Sequence, residues 1–167
     1  MNKTTPINKE VTFDTKHIIV SKTDTKGKIT YCNEIFIEMS AYKEDELLGK
    51  PHNIVRHPDM PKIIFKMLWD YIQDGKEINA YVKNLRKDGA YYWVFANVTP
   101  SFDKNDRIIG YFSVRRKPKT SSLNIIIPLY KKLLSLEKSG GMEASKTYLD
   151  KLLNEKGVSY EEFILSI

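Results

Sequence analysis

Residues 49–62, GKPHNIVRHPDMPK, gather more reactive side chains than any other stretch of the 167-residue chain. His52, Arg56, His57 and Asp59 stand there between prolines, ahead of an apolar run. A helix N-terminus exposes free N–H groups that attract anions. Arg56 and His57 could add charge-assisted donors beside it. Pro58 and Pro61 stiffen the connector and so lower the entropy lost on binding. Asp59 could orient either neighbour or cap the following helix. By residue type alone the stretch reads first as a capped loop with solvated charges. As a metal pair His52 and His57 are weak, with no third ligand evident. One of them could serve as an axial haem ligand. No nucleophile, base and orienting group come together, so an enzyme is not expected.

The elements around this connector follow from pattern. Residues 17–23 are apolar and β-branched, and KITYC alternates after a turn through Gly27, giving a hairpin. Asn33 is placed to cap a short helix that faces the core through Ile35, Phe36 and Met39. A second short helix closes at Gly49. Beyond the connector, Pro61 suits a first helical turn. The run MPKIIFKMLWDYIQDG then carries a broad apolar face, with Trp69 off its best stripe. Three long strands finish the compact part; the first two meet at Asp88-Gly89, a two-residue hairpin signal. The order predicts an α+β fold: a five-stranded antiparallel sheet with helices on one face. Residues 1–16 read as an arm anchored by Val11 and Phe13, 17–118 as the folded domain, and 119–167 as a helical C-terminal extension broken at Pro128 and at the SGG run.

Alternation puts Ala80, Val82 and Asn84 on one face of their strand, and Tyr92, Val94, Ala96 and Val98 on the inward face of the next. Trp93 and Phe95 then point away, toward the arm or a partner. A buried asparagine needs hydrogen-bond partners, so Asn84 is a candidate ligand contact. Cys32 is the only cysteine. That excludes an internal disulfide and a multi-cysteine metal site, and its alternating strand context reads as buried and inert. The net charge is +6, but the lysines are scattered, so nucleic acid is not an expected partner. VRRKPKT reads as a solvated strand end. No apolar run reaches the roughly 20 residues of a membrane span, and no signal core opens the chain; direct membrane insertion is not expected, and a cytoplasmic location is.

The run Asn33-x-x-Phe36, Ala41-Tyr42, Glu46-Leu47-x-Gly49 resembles the opening helices of PAS domains, with Ala41 where glycine is usual. RKDGAYYWVFANVTP and RIIGYFSVRRK resemble the last two PAS strands. GKPHNIVRHPDMPK, with FKMLW and YVKNLRKDGAYYWV, is similar to the PAS domain of the aerotaxis-receptor type. That resemblance implies an FAD pocket contacted by Arg56, His57, Asp59, Trp69, Asn84, Asn33 and His52. It implies a redox or energy sensor that signals by protein contact to a chemotaxis transducer. The chain also resembles the soluble flavin subunit of two-part energy-taxis systems, whose transducer is a separate membrane-bound chain; association with the membrane would then run through that partner. Light-sensing flavin relatives carry an asparagine five residues before the same hairpin glycine, as Asn84 stands before Gly89. Their reactive cysteine has no counterpart in VRHPDMP. A haem gas sensor and a ligand-free interaction module are the alternatives, and a homodimer stays open. The tail is expected to serve partner contact or to pack back on its own domain.

Overall fold

The computed structural model describes residues 4–167. Its centre is a five-stranded antiparallel sheet: β1 (Ile19–Thr23), β2 (Ile29–Cys32), β3 (Ile78–Leu85), β4 (Tyr91–Phe102) and β5 (Ile108–Arg116), in the spatial order β2-β1-β5-β4-β3. The β1–β2 hairpin and the β3–β4–β5 meander were legible from their turns; the β1–β5 pairing that joins them sets Ser21 opposite Ser113 across more than ninety residues of chain. The helices α1 (Glu34–Ser40), α2 (Glu44–Leu47) and α3 (Lys62–Gln73) lie between β2 and β3, with a short 3₁₀ turn at His52–Val55. The inner face of the sheet carries Ile19, Ile78, Val94 and Tyr92, all essentially buried, against Phe36, Leu47, Ile63, Ile64 and Ile72.

The arm is not loose over its described part. Its Ile7 and Val11 N–H groups donate to the Gly89 and Tyr91 carbonyls, Tyr91 N–H returns to Lys9, and Phe13 is buried.

The tail forms α4 (Thr120–Lys156) and α5 (Tyr160–Ser166). Pro128 does not interrupt α4, contrary to expectation. It removes one helical N–H, but Pro128 and Asn124 both face solvent, so water can take the freed carbonyl. The break is at Gly141 alone, with φ 74° and ψ −175°, a conformation open essentially to glycine. There α4 folds back on itself. Lys132 reaches the ring of Tyr148, and the Ser145 hydroxyl donates to Glu137.

This helical pair and α5 cover the outer face of the sheet at its β3–β4 side. Ile126, Tyr130, Leu133, Leu149, Tyr160, Phe163 and Ile164 are buried, and Tyr130 packs on Trp93 at 6.1 Å between ring centroids. A terminal strand presents unpaired backbone groups that invite association. Along β3 the tail satisfies two of them. The Tyr130 hydroxyl donates to the Tyr81 carbonyl at 2.7 Å, and the Asn79 N–H donates to the Glu161 carboxylate at 3.1 Å. Of the two expectations for the tail, packing on its own domain is the one observed.

Candidate functional site

A cavity of about 230 Å³ lies between the inner face of the sheet, α3 and the connector. Val82, Ala96 and Val98 supply its sheet wall, and Phe65, Leu68, Trp69 and Ile72 its helical wall. Small Ala96, opposite Ala80 on β3, leaves space in that wall. Trp69 lines the cavity edge-on to Tyr111, with ring centroids 5.6 Å apart. Gly27 sits against it so closely that a Cβ there would fall 2.9 Å from the indole. Trp69, off the best apolar stripe of α3, shares the cavity wall with Leu68 and Ile72.

Four of the seven residues singled out from sequence line this cavity: His52, Arg56, Trp69 and Asn84. Asn84 is 3% exposed on β3. The backbone of Arg56 forms an isolated bridge with Asn84, so the connector runs alongside that strand. The Arg56 guanidinium stacks on Phe65, 3.8 Å from the ring centroid.

The other three have different work. Asn33 spends its amide on the fold. Its oxygen accepts from Phe36 N–H and Val20 N–H, and its nitrogen donates to the Ile18 carbonyl, so it caps α1 and ties it to β1 rather than meeting a ligand. His57 is buried off the cavity, edge-on to Tyr91; its Nδ1 accepts from Asp59 N–H at 3.0 Å. Burial, reinforced by the Lys83 ammonium, pushes it down to about 4, against the pull of Asp59. Asp59 neither caps α3 nor reaches the cavity, and pairs with Lys83 at 2.7 Å.

Nor is the α3 N-terminus open to an external anion. Pro61 is its capping residue and offers no side-chain acceptor. Glu137, from α4, accepts Lys62 N–H at 2.9 Å and Ile63 N–H at 3.0 Å. The tail thus supplies the negative charge that the helix end favours.

Sequence reasoning missed Arg115. It lies on β5 in the run read as a solvated strand end, yet it is 3% exposed and lines the cavity. The signal was there in alternation: Tyr111, Ser113 and Arg115 share one face. Its guanidinium donates to the Ser21 hydroxyl and to His52 Nε2, the latter at 2.8 Å, and lies over Phe36 at 4.9 Å. Among the described residues no carboxylate pairs with it, and its Nη1 has no partner. Burial pushes Arg115 down to about 10, which leaves it charged at neutral pH. Burial and Arg115 together push His52 down to about 3, so His52 is neutral, with Nε2 as acceptor and the proton on Nδ1. Neither histidine therefore turns a free lone pair to the cavity. The Tyr92 hydroxyl is also buried without a partner. Burial pushes it up to about 12, while Arg115 and the Asn84 amide pull it back. A buried guanidinium short of an anion and an amide able to donate or accept thus line an aromatic-walled slot. That donor set fits a flat heteroaromatic ligand with polar, electron-rich edges.

A sheet of this order with its helices on the inner face is an α+β fold with a cavity under that face, and comparison with known proteins gives the family. A family profile described as the PAS fold matches residues 29–115, and the chain belongs to the PAS family. It is 42% identical over 115 residues to the aerotaxis receptor of Escherichia coli K12, an alignment covering 69% of this chain and 22% of the receptor. A blue-light photoreceptor of Listeria innocua is 25% identical over 133 residues, 79% of this chain and 52% of that protein. The chain thus spans about a fifth of the receptor and about half of the photoreceptor. Among solved structures, the light state of the blue-light photoreceptor Aureochrome1 LOV superposes with a TM-score of 0.61 at 20% identity, covering 66% of this chain and 88% of that one; at that identity the match speaks for the fold. No helix among the described residues is long and apolar enough to cross a membrane. No group of three or more possible metal ligands occurs among them.

Proposed function

We propose that the chain is an FAD-binding redox sensor that reports to a chemotaxis transducer carried on a separate, membrane-bound chain. The observation that carries the reading is the buried Arg115, without a carboxylate partner, facing the same slot as Asn84 and His52. The relationship to the aerotaxis receptor supports the energy-taxis assignment. When bound, the flavin supplies reversible electron transfer, with a change of charge and protonation at its ring edge. Arg115 offers a fixed positive charge to that edge, and Ser21 and His52 hold its guanidinium in place. The Asn84 amide can donate or accept, so it can follow either state of the ligand. Trp69 and Phe65 give the slot its aromatic walls. From Asn84 the backbone bridge leads to Arg56, and the connector leads on to the first turn of α3, where Glu137 of the tail is seated. Partner contact, rather than catalysis, is the output.

The purified chain should be yellow, and heat-released cofactor should chromatograph as FAD. Arg115→Met should lower flavin retention at least tenfold, the size expected for a charge-assisted hydrogen bond of about 1.5–3 kcal/mol. Without ligand the same variant should be no less stable than the parent, because it removes a buried unpaired charge. Colourless protein that takes up no FAD, FMN as the released cofactor, or a haem spectrum would refute the reading.

A further inference from the structure

We infer that the groove between the two arms of α4 and α5 docks an amphipathic helix of a partner protein, apolar on one face and carrying carboxylates along its flank. The inference stands on the tail alone and does not need the flavin. The groove has a volume of about 610 Å³, and its walls include Ile125, Leu129, Leu152 and Phe163, with Lys132 and Lys156. The arms run antiparallel along it. Three helices therefore leave a trough whose fourth position is open, and helices pack at about 8–10 Å between axes. From Ile125 to Lys132 the wall runs about 10 Å at 1.5 Å per residue, room for two turns of a helix offering apolar anchors at i, i+3/i+4 and i+7. Ile125 is 46% exposed at its rim.

Charge decides which helix fits. On the outward faces of the tail, Lys146 pairs with Asp150 and Lys151 with Glu155. The groove lysines differ. Lys132 lies over the Tyr148 ring at 5.7 Å and Lys156 over the Phe163 ring at 6.0 Å. Neither pairs with a carboxylate among the described residues, and no aspartate or glutamate side chain lines the groove. Two unpaired ammonium groups beside an apolar floor call for an apolar ridge with negative flanks. A second copy of this chain is a poor occupant: symmetric pairing would bring the lysines of two groove rims together in a protein of net charge +6.

The test uses the full chain and two synthetic 18-residue helical peptides. Both carry the same leucine ridge; one is flanked by glutamate and the other by lysine. Fluorescence anisotropy should show the glutamate peptide binding about tenfold more tightly, with the preference weakening as salt rises. Ile125→Asp should abolish binding of both peptides. Lys132→Glu with Lys156→Glu should reverse the preference while the circular dichroism spectrum and thermal midpoint stay at parental values. Equal binding of the two peptides, binding of neither, or binding untouched by Ile125→Asp would overturn the inference. So would concentration-dependent dimerisation lost in Ile125→Asp, which would make a second copy the occupant, or equally groove-dependent binding to vesicles of anionic lipid.

Discussion

Removing the Glu137 carboxylate should loosen the tail from the domain. Its two oxygens take the first free N–H groups of α3, at 2.9 and 3.0 Å, and one of them also accepts the Ser145 hydroxyl at 3.2 Å. A hydrogen bond to a charged group contributes about 1.5–3 kcal/mol. The Lys62 N–H lies near solvent and can find water when its acceptor goes, and the buried Ser145 hydroxyl can keep its shorter bond to the Met142 carbonyl at 2.8 Å. Glu137→Ala should therefore cost about 3 kcal/mol in all, less than the sum of the three bonds. Glu137→Gln keeps an acceptor of the same shape but loses the charge at the helix end, and should cost about 1 kcal/mol. For a chain of this size each kcal/mol moves the thermal midpoint by roughly 2–4 °C. The expected loss is then about 6–12 °C for alanine and a third of that for glutamine. Thermal circular dichroism measures the midpoint. Amide exchange shows where stability is lost, and protection should fall first in residues 120–167. If Glu137→Ala melts within a degree of the parent, or if the sheet loses protection before the tail, the contact does not hold the tail in place.

Acid should destabilise the ligand-free protein in a defined window. His52 is held at about 3 in the fold, against about 6.5 when unfolded. The unfolded chain therefore binds more protons between those values, and stability falls as pH drops from about 6.5 toward 3, by up to about 1.4 kcal/mol per pH unit. His57, held at about 4, adds to the loss over the upper part of that range. Denaturant melts at stepped pH should show the slope, and His52→Asn should flatten it. Gly27→Ala should displace Trp69, shift tryptophan emission and lower flavin retention. Gly49→Ala, at a similar positive φ of 74° but with nothing within 4 Å, should cost only the backbone strain of about 1–2 kcal/mol and leave the cofactor in place. A chain ending at residue 118 should aggregate, since Tyr81, Trp93 and the edge of β3 would lose their cover; a soluble, monomeric, stable product on size-exclusion chromatography would show that the cover is dispensable.

Residues close in sequence were the legible ones. Asp88-Gly89 announced the β3–β4 hairpin, and alternation placed Asn84 and Ala96 inward as observed. Asn33 announced a cap, and the cap consumes the side chain that family resemblance would have lent to a ligand. Arg115 was misread because charge was allowed to outweigh period. A run of basic residues after an apolar strand looks solvated, although Tyr111 and Ser113 already fixed which way Arg115 points. Glu137 carried no local signal at all. Its partners lie 75 and 74 residues back in the chain, and only the pairing of tail and domain makes a glutamate in an amphipathic helix the cap of another. Separation along the chain also hid the fate of Trp93, whose outward direction was readable but whose covering helix was not.

The backbone at Gly141 decides the reach of the whole molecule. If that residue took helical angles, the 37 residues of α4 would form a rod about 55 Å long at 1.5 Å per residue. The second arm would then lie beyond the sheet instead of against it. The Ser145 contact to Glu137 and the trough beside Lys132 both depend on one reversal of direction. Glycine keeps that reversal free of strain, whereas alanine would pay to hold it and gain about 1 kcal/mol of helix propensity by straightening. A single methyl group at position 141 would thus weight the chain away from a folded cap and toward a lever, a difference of tens of ångströms readable between probes placed at residues 121 and 155.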